Sequence, residues 1–377
     1  MKTEVDIRNA TTGLPKKTLD ELYEEGFIRI LTSGQRSQSC AIQVFSLLLC
    51  TQEALSPEAV IQTLSRAYSH QEESMTLTKM INICSDLVVH DFEPNVVRFA
   101  HISFQEFLEA RPEFAPYHVH RVAAESCLQS CLEGLPTGMD IGLSPKNNFY
   151  HYSAGYWAEH CGIASVHGAE YSIVRKLQEF VFDGDDVGLG FIDWVQEVNK
   201  FRERFPRDHV LARKLNSVVS SGGSPLFTAC SFGLAPIIAD LAHSTDYDWD
   251  QTNDDGQTGL YLAAAAGHRA IVHDLLQRKV NVNTSGGKFD HPLHAACFGG
   301  HHSTVKLLLE HGPVHTEGIR LFVRRIWVFE MLGYRNGDLQ RSFWSGREIY
   351  AKAKRPEKND TRGRYCNSSS WWAKFND

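Results

Sequence analysis

Between Ser224 and Gly312 the chain says nearly the same thing three times. Ser224-Pro-Leu-Phe-Thr-Ala-Cys-Ser-Phe-Gly233 is followed by Thr258-Gly-Leu-Tyr-Leu-Ala-Ala-Ala-Ala-Gly267-His268, and then by His291-Pro-Leu-His-Ala-Ala-Cys-Phe-Gly-Gly300-His301. Gly233, Gly267 and Gly300 stand 34 and 33 residues apart, and Leu226, Leu260 and Leu293 keep the same intervals. A fixed period of this length constrains the fold more than any composition figure. One unit is too short to bury its own apolar face, so the units must stack and share a continuous core.

The letters within the period are those of ankyrin repeats, whose core reads T-P-L-H-x-A. Thr258 is placed to bond locally at the start of a first helix. Ala263-Ala264 and Ala296-Cys297 are small enough for helices to approach closely, and Gly267 and Gly300 end the helix where a Cβ would be strained. Ile271, Val272, Leu275 and Leu276, like Val305, Leu307 and Leu308, form the stripe of a second helix. Asp254-Asp-Gly256 makes the turn of a projecting finger. Phe227 and Tyr261 replace the histidine that His294 keeps, Gly259 replaces the proline, and the period is lost after Gly312. Three repeats is about the minimum for an independently stable array, so the last apolar face needs a cover. Ankyrin ligands meet finger tips and the exposed faces of first helices. The residues expected to bind a protein partner are therefore Asp254, Asp255, Gln257, Tyr261, Phe289, Asp290 and His294. Tyr261→Ala with Phe289→Ala is expected to abolish partner capture without unfolding the array.

At 377 residues the chain has room for two or three domains. The longest strongly apolar stretch, Ala41 to Cys50, is about half of what a membrane span needs, and Met1-Lys-Thr-Glu-Val-Asp6 carries no apolar leader. The nine cysteines fall singly, without paired metal-type spacing, which fits reduced thiols in the cytoplasm. The net charge of −7 is uneven: from Pro313 onward 13 Lys/Arg face 7 Asp/Glu, leaving −13 on residues 1–312. An acidic body gives no support for nucleic-acid binding. The basic tail, residues 313–377, holds four of the seven tryptophans and no period. It reads as a divergent, poorly ordered segment and an artefactual end to a longer repeat gene, although Ile319–Leu332 has the length of one helix able to cover the last repeat. Transcripts joining the Gly312 codon to another repeat exon would support the artefact; continuous reads through residue 377 would exclude it.

Upstream, Thr18 with Glu21 reads as a capping box for a helix over 15–32, with Leu19, Leu22 and Tyr23 on one face. A core helix over 39–50 follows, then one started by Ser56-Pro57 and running to Tyr68, and a short one over 76–85. Leu87–Asp91 and Val96–His101 flank Phe92-Glu-Pro-Asn95 as a β-hairpin, and Ser103 is placed to cap the next helix. Three helices and a hairpin form a winged-helix pattern. The ordered words Leu14-Pro-Lys-Lys-Thr-Leu-Asp-Glu-Leu-Tyr23, Ala54-Leu-Ser-Pro-Glu58, Ile83-Cys-Ser-Asp-Leu-Val-Val89 and Val97-Arg-Phe-Ala-His-Ile-Ser-Phe-Gln-Glu-Phe-Leu108 make the resemblance specific. They resemble the winged helix, of the type named after a GPI inositol deacylase, that follows the NACHT nucleotide-binding domain in fungal NACHT–ankyrin proteins of the STAND type. Tyr150-His-Tyr-Ser-Ala-Gly-Tyr-Trp-Ala-Glu-His160 and Phe191-Ile-Asp-Trp194 resemble the helical spacer before their repeats. The resemblance implies a mainly α chain: winged helix over 14–110, helical spacer over 111–219, an ankyrin α-solenoid over 220–312, and the tail. Spacer helices are expected near 116–134, 149–160, 170–182, 190–204 and 207–219, with a loop over 134–148.

Chemistry finds little purchase. Gly286-Gly-Lys-Phe289 lacks the spacing and hydroxyl of a phosphate-binding loop, so the resemblance carries no NTPase activity onto this chain. His118-Val-His120, His160-Cys161 and the i,i+4 pair Cys127/Cys131 are the best metal candidates. They are scattered, and they read better as helix-face and core residues. No G-x-S-x-G elbow selects a nucleophile. The expectation is a non-catalytic interaction and sensor protein without cofactor, small-molecule substrate or membrane span. Its competitors are a DNA-binding winged-helix regulator and a hydrolase related to the domain's name. Nucleotide turnover would revive an enzyme; salt-steep DNA affinity would revive the regulator.

Overall fold

The structure is a computed structural model that describes residues 18–312 except 66–73, 135–147, 167, 169, 185, 207–208 and 244–246. The described residues belong to one compact unit, Met1–Pro313. The tail with its expected Ile319–Leu332 helix, and nearly all of the expected 134–148 loop, lie outside the described residues. Sixteen α-helices and two small antiparallel hairpins make up what is described, so the chain is mainly helical.

Helix α1 (Leu19–Leu31) starts at the expected capping box: Thr18 Oγ1 accepts from the Glu21 N–H at 3.2 Å, and Glu21 Oε2 accepts from the Thr18 N–H at 2.7 Å. Its inward face differs from the expected one. Phe27 and Ile30 are buried, while Leu19 and Leu22 are half exposed. The larger ring wins the core because Phe27 packs edge-on against Phe107 and Phe114. Helices α2 (Gln35–Cys50), α3 (Pro57–Ser65) and α4 (Leu77–Ile83) follow, with Ser56 and Thr76 capping the last two. Strands β1 (Val88–Asp91) and β2 (Val96–Phe99) pair antiparallel with Val88 opposite Phe99, and Asn95 closes the turn at φ 51°. The Val97 N–H donates to the Leu55 carbonyl at 2.9 Å, which ties the hairpin to the entry of α3. Helix α5 (Ile102–Glu109) is capped by His101 rather than by the expected Ser103. The Ser103 hydroxyl is already held between Tyr23 Oη (2.7 Å) and His101 Nδ1 (2.6 Å), and that same Nδ1 accepts the Ser103 N–H.

Helices α6 (Pro116–Glu133), α7 (Phe149–Ala164), α8 (Tyr171–Val181), α9 (Leu189–Arg202) and α10 (Val210–Val219) form the middle, with β3 (Phe182–Asp183) and β4 (Asp186–Val187) as a minimal hairpin between α8 and α9. Helix α7 is the hub. It is apolar or aromatic nearly all round, the mark of a helix enclosed on every side, and 12 of its 16 residues are buried. Trp157 stacks edge-on with Trp194 and Phe180, and the Trp194 indole N–H donates to the Ala154 carbonyl at 2.7 Å.

The repeats are the pairs α11 (Pro225–Phe232) and α12 (Ala235–Leu241), α13 (Gly259–Ala266) and α14 (Arg269–Gln277), and α15 (Pro292–Gly299) and α16 (His302–Leu309). The first pair sits directly on the middle helices. Ser217 and Ser231 share a 2.7 Å hydrogen bond, and Lys214 pairs with Glu159 at 2.9 Å while lying over the Phe232 ring. A Cβ on Gly162 of α7 would fall on the Phe232 carbonyl oxygen, so the two helices touch backbone to backbone.

Between repeats, histidine and glycine interlock. Gly233 and Gly267 take the left-handed conformation, at φ 84° and 77°. They also leave room for the next repeat's imidazole: a Cβ on Gly233 would crowd the His268 ring, and one on Gly267 would land on His301. His268 Nε2 reaches the Ser231 carbonyl at 3.2 Å and His301 Nε2 the Ala265 carbonyl at 3.0 Å, each as donor. Thr258 Oγ1 accepts from the Tyr261 N–H at 3.2 Å, the only side-chain cap among the three first helices. Thr258→Ala is expected to cost about 1 kcal/mol. A lowered urea midpoint with an unchanged slope would be the reading.

Candidate functional site

The seven expected partner-binding residues fall on two neighbouring fingers and the first helices behind them, and they do not all face outward. Asn253 builds the first finger. Its Oδ1 accepts the backbone N–H groups of Asp255 (3.1 Å) and Gln257 (2.9 Å), and its Nδ2 donates to Ser220 Oγ (3.2 Å) and Gln257 Oε1 (3.0 Å). Asn253 is itself buried, and this internal bonding holds Asp254 and Asp255 out in solvent with Gln257 half-buried behind them. The second finger hangs on the first: the Gly287 N–H donates to the Asp255 carbonyl at 3.0 Å, and Gly286 packs where any Cβ would meet the Gly256 carbonyl. Asp290 is exposed and left-handed at φ 66°, with its carboxylate accepting from Ser285 Oγ at 3.1 Å.

Tyr261 is corrected. It is 3% exposed and offers no contact surface. The second finger lies across its ring, and its hydroxyl accepts the Phe289 N–H at 3.2 Å. From the other side His294 Nδ1 donates to the Phe289 carbonyl at 2.8 Å. Phe289 is therefore clamped through both of its backbone polar groups. Its half-buried ring stacks on that of Phe298, centroids 4.2 Å apart, and Lys288 hovers over both. Phe298 is 55% exposed, an unusual position for a large ring on an ordered helix. Burial raises the Tyr261 phenol and lowers the His294 imidazole, so both act as neutral hydrogen-bonding groups. The expected double substitution at Tyr261 and Phe289 would thus open a cavity as well as remove a contact. It no longer separates binding from folding.

Sequence reasoning missed Asn253 and Phe298. An Asn at the head of Asn253-Asp-Asp-Gly256 is an Asx-turn signal that points to the first. Nothing local distinguishes Phe298 from a core phenylalanine.

A second cluster lies in the middle helices. The scattered metal candidates do not assemble as paired words, but one residue from each of two words does. His120 of α6 and His160 of α7 meet Nδ1 to Nδ1 at 2.8 Å, beside Cys50 at the end of α2. One potential ligand atom from each of the three lies within 4.8 Å of the others, and all three residues are buried. His160 Nε2 is 2.7 Å from Tyr152 Oη, which accepts the Gln52 N–H at 3.3 Å. That backbone donor leaves the phenol hydrogen for His160 Nε2, so a neutral His160 carries its own proton at Nδ1 and gives it to His120. Burial first, and then the neighbouring His120, pushes His160 down to about 3. Burial also lowers His120, against the opposing pull of Glu159, and raises the Cys50 thiol well above its ordinary value. Cys127, Cys131 and Cys161 are buried nearby in the same helices, and His118 packs its ring on Tyr117 instead.

The repeat region carries a recognisable signature. Residues 226–318 match the family profile described as ankyrin repeats, in three copies. A protein named azaphilone pigments biosynthesis cluster protein L, from Monascus ruber, is 26% identical over 327 residues, covering 80% of this chain and 60% of that protein. The alignment is far longer than the repeat match, so the likeness extends into the helices before the repeats. The chain spans 60% of the length of this relative.

Proposed function

We propose that this chain is a non-catalytic recognition module. It captures a protein partner on the fingers and first helices of its ankyrin array and relays that occupancy to the helices before it. The observation that carries the reading is the clamped Phe289, on the finger that also carries exposed Asp290, presented with Phe298 as a paired aromatic anchor next to the finger of exposed Asp254 and Asp255. Rigid aromatic anchors with a polar surround are what hot spots at protein interfaces are made of. The relay has a physical path, since α7 and α11 meet backbone to backbone at Gly162 and Phe232.

The N-terminal part acts, on this reading, as the winged helix of a NACHT–ankyrin signalling protein, with 111–219 as its spacer, in the cytoplasm. Helices α2, α3 and α4 ahead of a β-hairpin whose register is Val88 to Phe99 suit that assignment. The described part of α3, Pro57–Ser65, has Glu58 as its one charge, which suits packing better than a phosphate backbone. Among the described residues no helix is long and apolar enough to cross a membrane.

Phe289→Ala with Phe298→Ala is the sharper test, because both rings are solvent-facing in part and neither closes the core. Proteins cross-linked to the intact chain in its native host should be lost at least tenfold with the double variant. The unfolding midpoint should move by no more than about 1 kcal/mol equivalent. An unchanged set of captured proteins would remove this surface from the account.

A further inference from the structure

The Cys50–His120–His160 cluster is more than a polar knot in an apolar core. Thiolate and imidazole are the donor set of zinc and of monovalent copper, and the three come from α2, α6 and α7, of which α6 packs against both of the others. A tetrahedral zinc site needs nitrogen ligands about 3.3 Å apart and sulfur about 3.6 Å from nitrogen. The two imidazole nitrogens at 2.8 Å need only open by roughly half an ångström. The outer shell is also present. Metal-bound histidine ordinarily donates its other ring N–H to a fixed acceptor, and Tyr152 Oη stands 2.7 Å from His160 Nε2.

We propose that Cys50, His120 and His160 ligate one buried, closed-shell metal ion, Zn2+ or Cu+. On binding, the Cys50 thiol proton leaves to solvent, breaking its 3.6 Å hydrogen bond to the Val119 carbonyl. The His160 proton moves from Nδ1 to Nε2 and is donated to Tyr152 Oη, whose own hydrogen turns away so that the oxygen becomes the acceptor. The His120–His160–Tyr152 hydrogen-bond chain is then the metal-free state of the same site. The thiol, costly to ionise in this core, is ionised by the metal itself.

The test uses the full chain, purified without chelator, with bound metal measured by mass spectrometry and with Zn2+ and Cu+ titrated separately into stripped protein. The expected result is one equivalent of one of the two ions per chain. Cys50→Ala and His160→Gln should each weaken binding at least 100-fold, while Cys230→Ala, a buried thiol in the first repeat, should bind as the intact chain does. Metal below a tenth of an equivalent in both titrations overturns the proposal. So does stoichiometric metal that persists in both ligand variants, which would place it on surface histidines. Should the variants fail to fold, cobalt loaded into the intact chain decides: a thiolate-to-cobalt charge-transfer band supports the site, and its absence overturns it.

Discussion

Gly162→Ala is expected to destabilise the folded chain by about 3 kcal/mol or more. The added Cβ would fall on the Phe232 carbonyl oxygen, a backbone atom of the first repeat that cannot rotate away. Relief requires α7 and α11 to part, and α7 is also the helix on which the Trp157–Trp194–Phe180 cluster is assembled. Domains of this kind hold only some 5–15 kcal/mol in total, so the loss is a large share. The same chemical change at Gly26 has the opposite sign. There a Cβ meets only Leu87 Cδ1 at 3.7 Å, an ordinary contact, inside a helix where alanine is favoured by roughly 0.5–1 kcal/mol. Urea unfolding of the two variants side by side should move the midpoint down for Gly162→Ala and slightly up for Gly26→Ala. Equal midpoints would mean that the spacer and the repeats are not packed as described.

The second large effect is acid lability above the carboxylate range. His160 is fully buried with its pKa lowered to about 3, and His268 is lowered to about 4, with burial the first cause in each. Above pH ~6.5 the imidazoles are neutral folded and unfolded, and they favour neither state. Below it the unfolded chain takes up protons that the folded chain refuses. Stability therefore falls with pH, by about 1.4 kcal/mol per unit for each such histidine, until the folded pKa is reached. His160 alone accounts for up to about 5 kcal/mol at the acid limit. His268 is half-buried, so its share is smaller. Unfolding free energies of the metal-stripped chain measured from pH 7.5 to 5 should drop steeply, and His160→Gln should flatten the slope by close to one proton even though it lowers stability overall. A flat profile in the intact chain would show that these imidazoles are solvated.

What the chain revealed before folding was what physics makes local. The period of 34 and 33 residues announced the stacked array, Thr18 with Glu21 announced a helix start, and Ser56-Pro57 another. The hairpin over Val88–Phe99 followed from β-branched runs around a Pro-Asn turn. The misreadings have one cause, burial decided by distant partners. Tyr261 stands where a histidine would face the groove, but the finger 28 residues later folds over its ring. Leu19 and Leu22 lost the inward face of α1 to Phe27, because the rings of Phe107 and Phe114 come from elsewhere. His120 and His160 are 40 residues apart, and no spacing rule joins a residue on one helix to its neighbour on the next.

The central claim, recognition of a protein through the finger face, is tested most directly by site-specific cross-linking. A photoreactive phenylalanine analogue is placed at Phe298 on the exposed face of α15, and in a second protein at His273, exposed on the outer helix α14. Irradiated in the native host, the chain labelled at Phe298 should capture a discrete partner that competes with excess unlabelled chain, while the chain labelled at His273 should not. Capture from His273 alone, or equal capture from both, would contradict the account.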